Sequence, residues 1–251
     1  MIKIKPLGVN GAFTKYYHNN YVFELGDRNL LVDAGTTLRY SLPEAEYKES
    51  DITDIIITHL HSDHVGGLEE FAQRCKWIHN HKPNLWLRGS MKEEFEEVVG
   101  KGLFTDGLTL NDYFNVYTCG IGYLNSFKIG NYTVELIQTD NLHAQGMKSF
   151  GIKVHDEELH NNVIFTSDIA KHENAQFRNL INPETVALFH DVSIIPNAVH
   201  SYLEDVVEFY KDDIDLNKMY GMHYQDDADL DHLKQIYGIN FVEKGKVIEF
   251  N

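Results

Sequence analysis

The segment Thr58-His59-Leu60-His61-Ser62-Asp63-His64-Val65-Gly66-Gly67 puts three imidazoles and a carboxylate within six positions. In an extended chain, side chains two apart share a face, so His59 and His61 can grip one cation together. Asp63 and His64, adjacent where the chain turns into a helix, point away from that pair and can reach a second cation. Neutral imidazole and carboxylate are the ligands expected of zinc and neighbouring divalent metals. Gly66-Gly67 removes side-chain bulk where backbone has to come close. Two divalent ions a few ångström apart lower the pKa of water towards neutrality and clamp the oxygens of a phosphoryl displacement.

Such a cluster needs elements that hold it. The run Asp54–Thr58, short, apolar and β-branched, reads as a strand buried on both faces that delivers His59 at its end. Val65–Cys75 reads as the helix after it, with Leu68, Phe71 and Ala72 on one face. Ile2 and Ile4 alternate with lysines, and Tyr21–Leu25 joins Leu30–Val32 through Gly26-Asp27-Arg28-Asn29 as a hairpin. Asn84–Arg88 is another strand, and Ser90-Met91-Lys92-Glu93 has the form of a capping box opening a helix to Gly100. The residues 103–124 show no clear period and read as a long excursion. Strands return at 132–138, 149–154 and 163–166, helices at 203–210 and 228–237, and a last strand at 246–250. Strands then helices, twice over, suggest two half-domains, 1–125 and 126–251, forming one α/β globule.

The whole chain sets the setting for this site. It has 251 residues, 22 Lys+Arg against 38 Asp+Glu, a net charge of −16, and 14 histidines. An acidic chain is a poor partner for a nucleic-acid backbone, whose affinity comes mainly from Lys and Arg. Cys75 and Cys119, the only two cysteines, read as free thiols of a reducing cytoplasm. No secretory leader is evident before Pro6, and no apolar run reaches the ~18 residues of a membrane helix. The expectation is a cytoplasmic protein. His18, His79, His81, His155, His160, His172 and His232 read as solvated or structural.

The H-x-H-x-D-H run after a buried strand resembles the signature of the metallo-β-lactamase superfamily. That resemblance implies an αββα sandwich, two sheets face to face with helices outside, and a two-metal site. It extends through Leu7-Gly8…Ala12-Phe13, Val32-Asp33-Ala34-Gly35, Asp140-Asn141-Leu142-His143, Phe165-Thr166-Ser167-Asp168 and Tyr220-Gly221-Met222-His223. It implies that His59, His61 and His143 hold one ion, that Asp63, His64 and His223 hold the other, and that Asp168 bridges them. Zinc is the first expectation, with manganese or iron also suited to the ligands. Two carboxylates against two dications leave such a site locally electropositive, and so able to attract an anion to an acidic protein.

Leu188-Phe189-His190-Asp191 and His200-Ser201 resemble motifs of the ribonuclease Z-like branch, with Asp in place of Glu and Tyr202 in place of Thr. The resemblance assigns His200 as the acid that protonates a leaving oxygen and Asp191 as its partner; the plainer reading makes His200 a helix cap. Only 25 positions separate His143 from Asp168, too few for the protruding arm of the tRNA-processing members. A compact, acidic, arm-less chain is most similar to the phage anti-Pycsar proteins, phosphodiesterases of cCMP, cUMP, cAMP and cGMP that defeat a bacterial defence. The implied partner is a small cyclic nucleotide and the implied assembly a homodimer. Phe104, Tyr113, Phe114 and Tyr117 are candidate base-stacking residues on a lid over the chain's own or a partner's site, or else an aromatic satellite core. Competing readings are a lactonase or esterase, a tRNA 3′-processing endonuclease, and a non-catalytic cyclic-nucleotide sponge.

Overall fold

In the computed structural model, which describes residues 1–120 and 125–251, fourteen strands form two seven-stranded sheets among the described residues. The first holds β1 (Ile2–Pro6), β2 (Tyr21–Leu25), β3 (Arg28–Val32), β4 (Asp54–Ile56), β5 (Asn84–Arg88) and β6 (Asn115–Cys119) in that order. The second holds β7 (Ser126–Ile129), β8 (Tyr132–Gln138), β9 (Phe150–Asp156), β10 (Asn161–Phe165), β11 (Thr185–Asp191), β12 (Met219–Met222) and β13 (Asn240–Phe241). The last strand, β14 (Ile248–Phe250), returns to the first sheet and pairs antiparallel with β1, Ile2 opposite Phe250.

The two sheets repeat one plan. Antiparallel strands β1–β3 and β7–β10 come first; parallel strands β4–β6 and β11–β13 follow. Alternation along each strand splits the apolar residues between two layers. Tyr21, Phe23, Leu30, Val32 and Ile56 face inward to a core shared with the second sheet. Val22, Leu31, Ile55 and Leu85 face outward, under the helices.

Those helices are α1 (Leu38–Glu44), α2 (Ser62–Val65), α3 (Leu68–Trp77), α4 (Lys92–Leu103) and α5 (Leu110–Tyr113), followed in the second half by α6 (Phe177–Leu180), α7 (Leu203–Tyr210) and α8 (Leu230–Tyr237). In α3 the buried residues Leu68, Phe71, Ala72 and Cys75 fall at helical spacing and seal its inner face. Two sequence expectations change here, and one element is new. Ser90 caps nothing: a 3₁₀ turn at Gly89–Met91 precedes α4, whose N-cap is Met91 without a side-chain cap. The stretch read as an excursion contains α5, held by a Thr109–Asp112 capping box, and the edge strand β6; its residues 121–124 lie outside the described residues. The segment α1, its Leu38 and Leu42 buried, fills a stretch without a sequence assignment.

Candidate metal centre and its histidine–aspartate pair

The parallel strands of both sheets end at one edge of the sandwich, and the loops leaving β3, β4, β8, β10, β11 and β12 converge there. Four residues in those loops have left-handed backbone without being glycine: Asp33 (φ 66°), Asn141 (φ 63°), Ser167 (φ 56°) and His223 (φ 63°). Such positions cost roughly 1–3 kcal/mol each and persist where the surroundings over-determine them. Asp33 shows how. Its carboxylate accepts the Thr58 N–H at 2.7 Å and the Thr58 hydroxyl at 2.8 Å, and Oδ2 lies 2.7 Å from His64 Nδ1.

The histidines present defined nitrogens. His59 Nε2 lies 3.2 Å from His61 Nδ1, and His143 Nε2 lies 3.1 Å from the same atom. The outer nitrogens have other partners: His59 Nδ1 is 3.1 Å from the Thr58 hydroxyl, and His143 Nδ1 donates to the Val199 carbonyl at 2.7 Å. Partners of this kind fix ring orientation and tautomer at metal sites. Asp63, His64, Asp168 and His223 form the neighbouring group, with ligand atoms all within 4.8 Å of one another. Asp168 Oδ2 stands between the groups, 3.3 Å from His64 and His223 and 3.8–3.9 Å from His143 and His59.

Electrostatics fit cations at this place. His64 Nε2, His223 Nε2 and Asp168 Oδ1 are buried with no hydrogen-bond partner, which is costly unless something else binds them. Burial opposes ionisation of Asp168, but His223 and His64 hold its carboxyl well below the usual range. Burial likewise opposes ionisation of Asp63, and the nearby His223 and His64 rings again prevail and lower it. His59, desolvated and beside His64, is held neutral. Burial opposes protonation of His64, but Asp168 and Asp33 push its imidazole well up, a negative field that a dication would also answer.

Next to these groups, His200 Nδ1 lies 2.8 Å from Asp191 Oδ2, whose carboxylate also accepts the Ile169 N–H at 2.8 Å. Despite burial, the Asp191 carboxylate pushes the His200 imidazole up to about 9. Its ring centroid is 4.4 Å from that of His223 and 5.1 Å from that of His143, so the pair borders both groups. The shorter Asp side chain therefore reaches His200.

The aromatic candidates are not brought to this place. Tyr113 and Phe114 are buried in the layer beneath α3 and α4, with no face left for a base. Tyr117 stacks on Trp86 at 4.7 Å, and Trp86 in turn on Phe127 at 4.0 Å, filling the edge between the sheets. Phe104, partly exposed, lies against Gly100 of α4. Sequence reasoning met Asp33 and Thr58 only inside matching motifs and gave them no role. Asp33 and Thr58 brace His64 and His59, and His18, read as solvated or structural, is buried against Gly35 beside Asp63.

Comparison with known proteins agrees with the geometry. The family described as "Anti-Pycsar protein Apyc1" matches residues 2–248. Relatives of that name include one from Paenibacillus sp. (strain J14), 31% identical over 211 residues covering 82% of this chain and 83% of the relative. Another, from Bacillus phage BSP38, is 29% identical over 245 residues with 90% of each chain covered. Among solved structures, the metallo-β-lactamase fold protein YhfI from Bacillus subtilis superposes with a TM-score of 0.79 at 17% identity, over 99% of both chains. Human tRNase Z, short form, does so at 0.73 and 17% identity, again over 99% of both. With nearly its whole length matched and its sheets superposing on that fold, this chain belongs to the anti-Pycsar Apyc1 family and is built on the metallo-β-lactamase sandwich.

Proposed function

We propose that this protein is a metal-dependent phosphodiesterase that opens small cyclic nucleotides, cCMP, cUMP, cAMP and cGMP, to linear nucleoside monophosphates. A phage or bacterium carrying it would thereby erase a cyclic-nucleotide alarm in the host cytoplasm. The observation that carries the reading is the His200–Asp191 pair standing beside two His/Asp groups, since an acid at this place suits a leaving group that departs badly without a proton. His59, His61 and His143 are the ligands of one divalent cation, Asp63, His64 and His223 those of the other, with Asp168 shared; zinc is favoured and manganese also suits the donors. When bound, such ions polarise phosphoryl oxygens and make water nucleophilic near neutral pH.

The chain's own residues do the rest. His143 and His64, oriented by Val199 and Asp33, keep their Nε2 atoms turned to the site. Asp191 accepts a hydrogen bond from His200 Nδ1–H, which leaves Nε2 to carry the transferable proton. A water oxygen bonds to phosphorus and gives up a proton to solvent as the bond from phosphorus to one ribose oxygen breaks; that oxygen leaves with the His200 proton, which solvent then restores. A well-placed general acid contributes about 10²–10⁴-fold in rate.

Two features favour a small substrate over tRNA. Between His143 and Asp168 lie only the paired strands β9 and β10 and their turns, and the net charge of −16 repels a polyanion. The test is product identification after incubation with the four cyclic nucleotides, a lactone, a carboxylic ester and precursor tRNA, with and without chelator. Linear monophosphates formed only without chelator support the reading. Turnover confined to carboxylic esters or tRNA would overturn it, and stoichiometric binding without turnover would identify a sponge. Sedimentation of the same preparation tests the expected homodimer.

A further inference from the structure

The chain crosses the mouth of the site between β1 and β2. Gly11 lies against the His223 ring, where a Cβ would sit 2.8 Å from Cε1, so glycine lets the backbone pass this close. Asn10 fastens the start of the crossing by donating from Nδ2 to the Tyr224 carbonyl at 3.1 Å. The far limb is fastened more heavily. The Thr14 hydroxyl donates to Asp226 Oδ1 at 2.5 Å and the Lys15 N–H to Asp226 Oδ2 at 2.9 Å. Lys15 Nζ and the Tyr16 hydroxyl both donate to Asp227, at 2.6 and 3.1 Å.

Between these fastenings stands Phe13, with a relative exposure of 103%, the highest of any large apolar side chain among the described residues. Phe13 is among the residues that line, with His200 and His223, an open cavity of ≈ 340 Å³. That volume falls in the range of small-molecule sites, roughly 300–1,000 Å³. Leaving a phenyl ring in water forfeits its burial, and the anchored loop keeps it from folding back onto the protein. A phenyl ring offers no donor or charge to a phosphate, but it offers a face to any planar base. The nearby acids Asp226 and Asp227 are taken up in holding the loop.

Resting on the cyclic-nucleotide reading above, we infer that Phe13 is the base-stacking residue of this site, lying over the nucleobase while the phosphate occupies the floor beside His200 and His223. Every base has a π-face, so stacking supplies affinity for nucleotides as a class and does not choose among them.

The experiment compares the metal-loaded wild type with Phe13→Ala and Phe13→Trp. Two readouts are used: equilibrium binding of CMP and AMP, and steady-state kinetics on cCMP, cAMP and a baseless methyl riboside cyclic phosphate. Loss of one base–aromatic stack corresponds to roughly 5- to 100-fold in affinity. Phe13→Ala should weaken CMP and AMP binding and raise KM for cCMP and cAMP within that range, with kcat moved far less. The baseless ester should lose at least fivefold less, and Phe13→Trp should restore binding. Equal losses on base-bearing and baseless esters, or nucleotide binding as tight as wild type, overturn the inference. So does a change of sedimenting mass with nucleotide binding intact, which would make Phe13 a contact between copies. A wild type that binds CMP and AMP but cleaves no cyclic nucleotide overturns the proposed reaction alone, whereas one that binds neither overturns the stacking role.

Discussion

His200 is reached by two roles that single substitutions separate. Its ligand-type nitrogen comes within 4.8 Å of donors on His143 and Asp168, so the same side chain has the placement of a metal ligand and of an acid. As the acid, His200→Ala should lower kcat by about 10²–10⁴ while the metal content per chain stays near that of the wild type. Asp191→Asn should lower kcat at least tenfold, because the neutral amide can still accept from Nδ1–H but lacks the charge that keeps the imidazole protonated. Asp63→Ala is the contrast, since it should lower metal content together with rate. Metal analysis beside kinetics decides, and a His200→Ala protein that loses metal in step with activity would make His200 a ligand.

At the level of elements, the site depends on how closely α2 is laid against the end of β3. The Ala34 N–H donates to the His64 carbonyl at 2.6 Å and the Gly67 N–H to the Ala34 carbonyl at 2.8 Å, which seats Gly35 directly under Asp63. A Cβ on Gly35 would overlap the Asp63 carbonyl oxygen. Gly35→Ala should therefore cost about 1–3 kcal/mol and, by pushing Asp63 and His64 aside, reduce bound metal. Gly107→Ala is the control. Gly107 has φ 78° and open space around it, so its replacement should cost about 1–2 kcal/mol and leave metal content alone. Denaturant melts with metal analysis distinguish the two.

The strand β11 carries a second dependence. His190 is buried, donates from Nδ1 to the Asp191 carbonyl at 2.7 Å, and leaves Nε2 without a partner. Burial, reinforced by the charge of His172, drives its pKa down to about 3 from the ordinary 6.5. A lowered folded-state value means that the stability His190 allows is complete above about pH 6.5 and is lost as pH falls towards 3, at about 1.4 kcal/mol per pH unit. His190→Asn keeps a donor near Nδ1 and cannot titrate. Denaturant midpoints at pH 4 to 7 should therefore fall less steeply for the variant, and parallel slopes would sink the assignment.

The ligand run was legible because its information is local: His59, His61, Asp63 and His64 are set by the turn from one strand end into one helix. Strand β4 and the inner face of α3 were legible for the same reason, through their apolar spacing. What stayed hidden depends on distant partners. Nothing next to Asp33 in the chain announces that it braces Thr58 and His64. Tyr113 and Phe114 read equally as a lid or as an aromatic core, and only the packing of α5 against α3 and α4 decides for the core. Ser90 matched a capping pattern, but the 3₁₀ turn before α4 occupies the position from which it would cap.

Across the whole molecule, the candidate ligands join the two halves. His59, His61, Asp63 and His64 follow strands of the first sheet, and His143, Asp168 and His223 follow strands of the second. Cations held among them bind the folded state alone, and occupancy at 1,000 times the dissociation constant stabilises by about 4 kcal/mol. For a chain of this size that corresponds to roughly 8–16 °C in Tm. Chelation should lower Tm by that order and added zinc or manganese should restore it; an unchanged Tm after verified metal removal would show that the centre does not couple the sheets.

Strand β14 sets a schedule for synthesis. Its residues pair with Ile2, Lys3 and Ile4, partners 244 to 248 positions apart in the sequence. At the ribosome β1 is made about 240 residues before Ile248–Phe250, and its outer edge stays bare until they emerge, a wait on the order of tens of seconds at roughly 5–20 residues per second. Throughout that interval a strand of alternating isoleucine and lysine presents unpaired amides to its surroundings, the exposure that invites pairing between nascent chains. Crowded polysomes are therefore where this protein is most open to misassembly, and slower expression at lower temperature should raise its soluble yield.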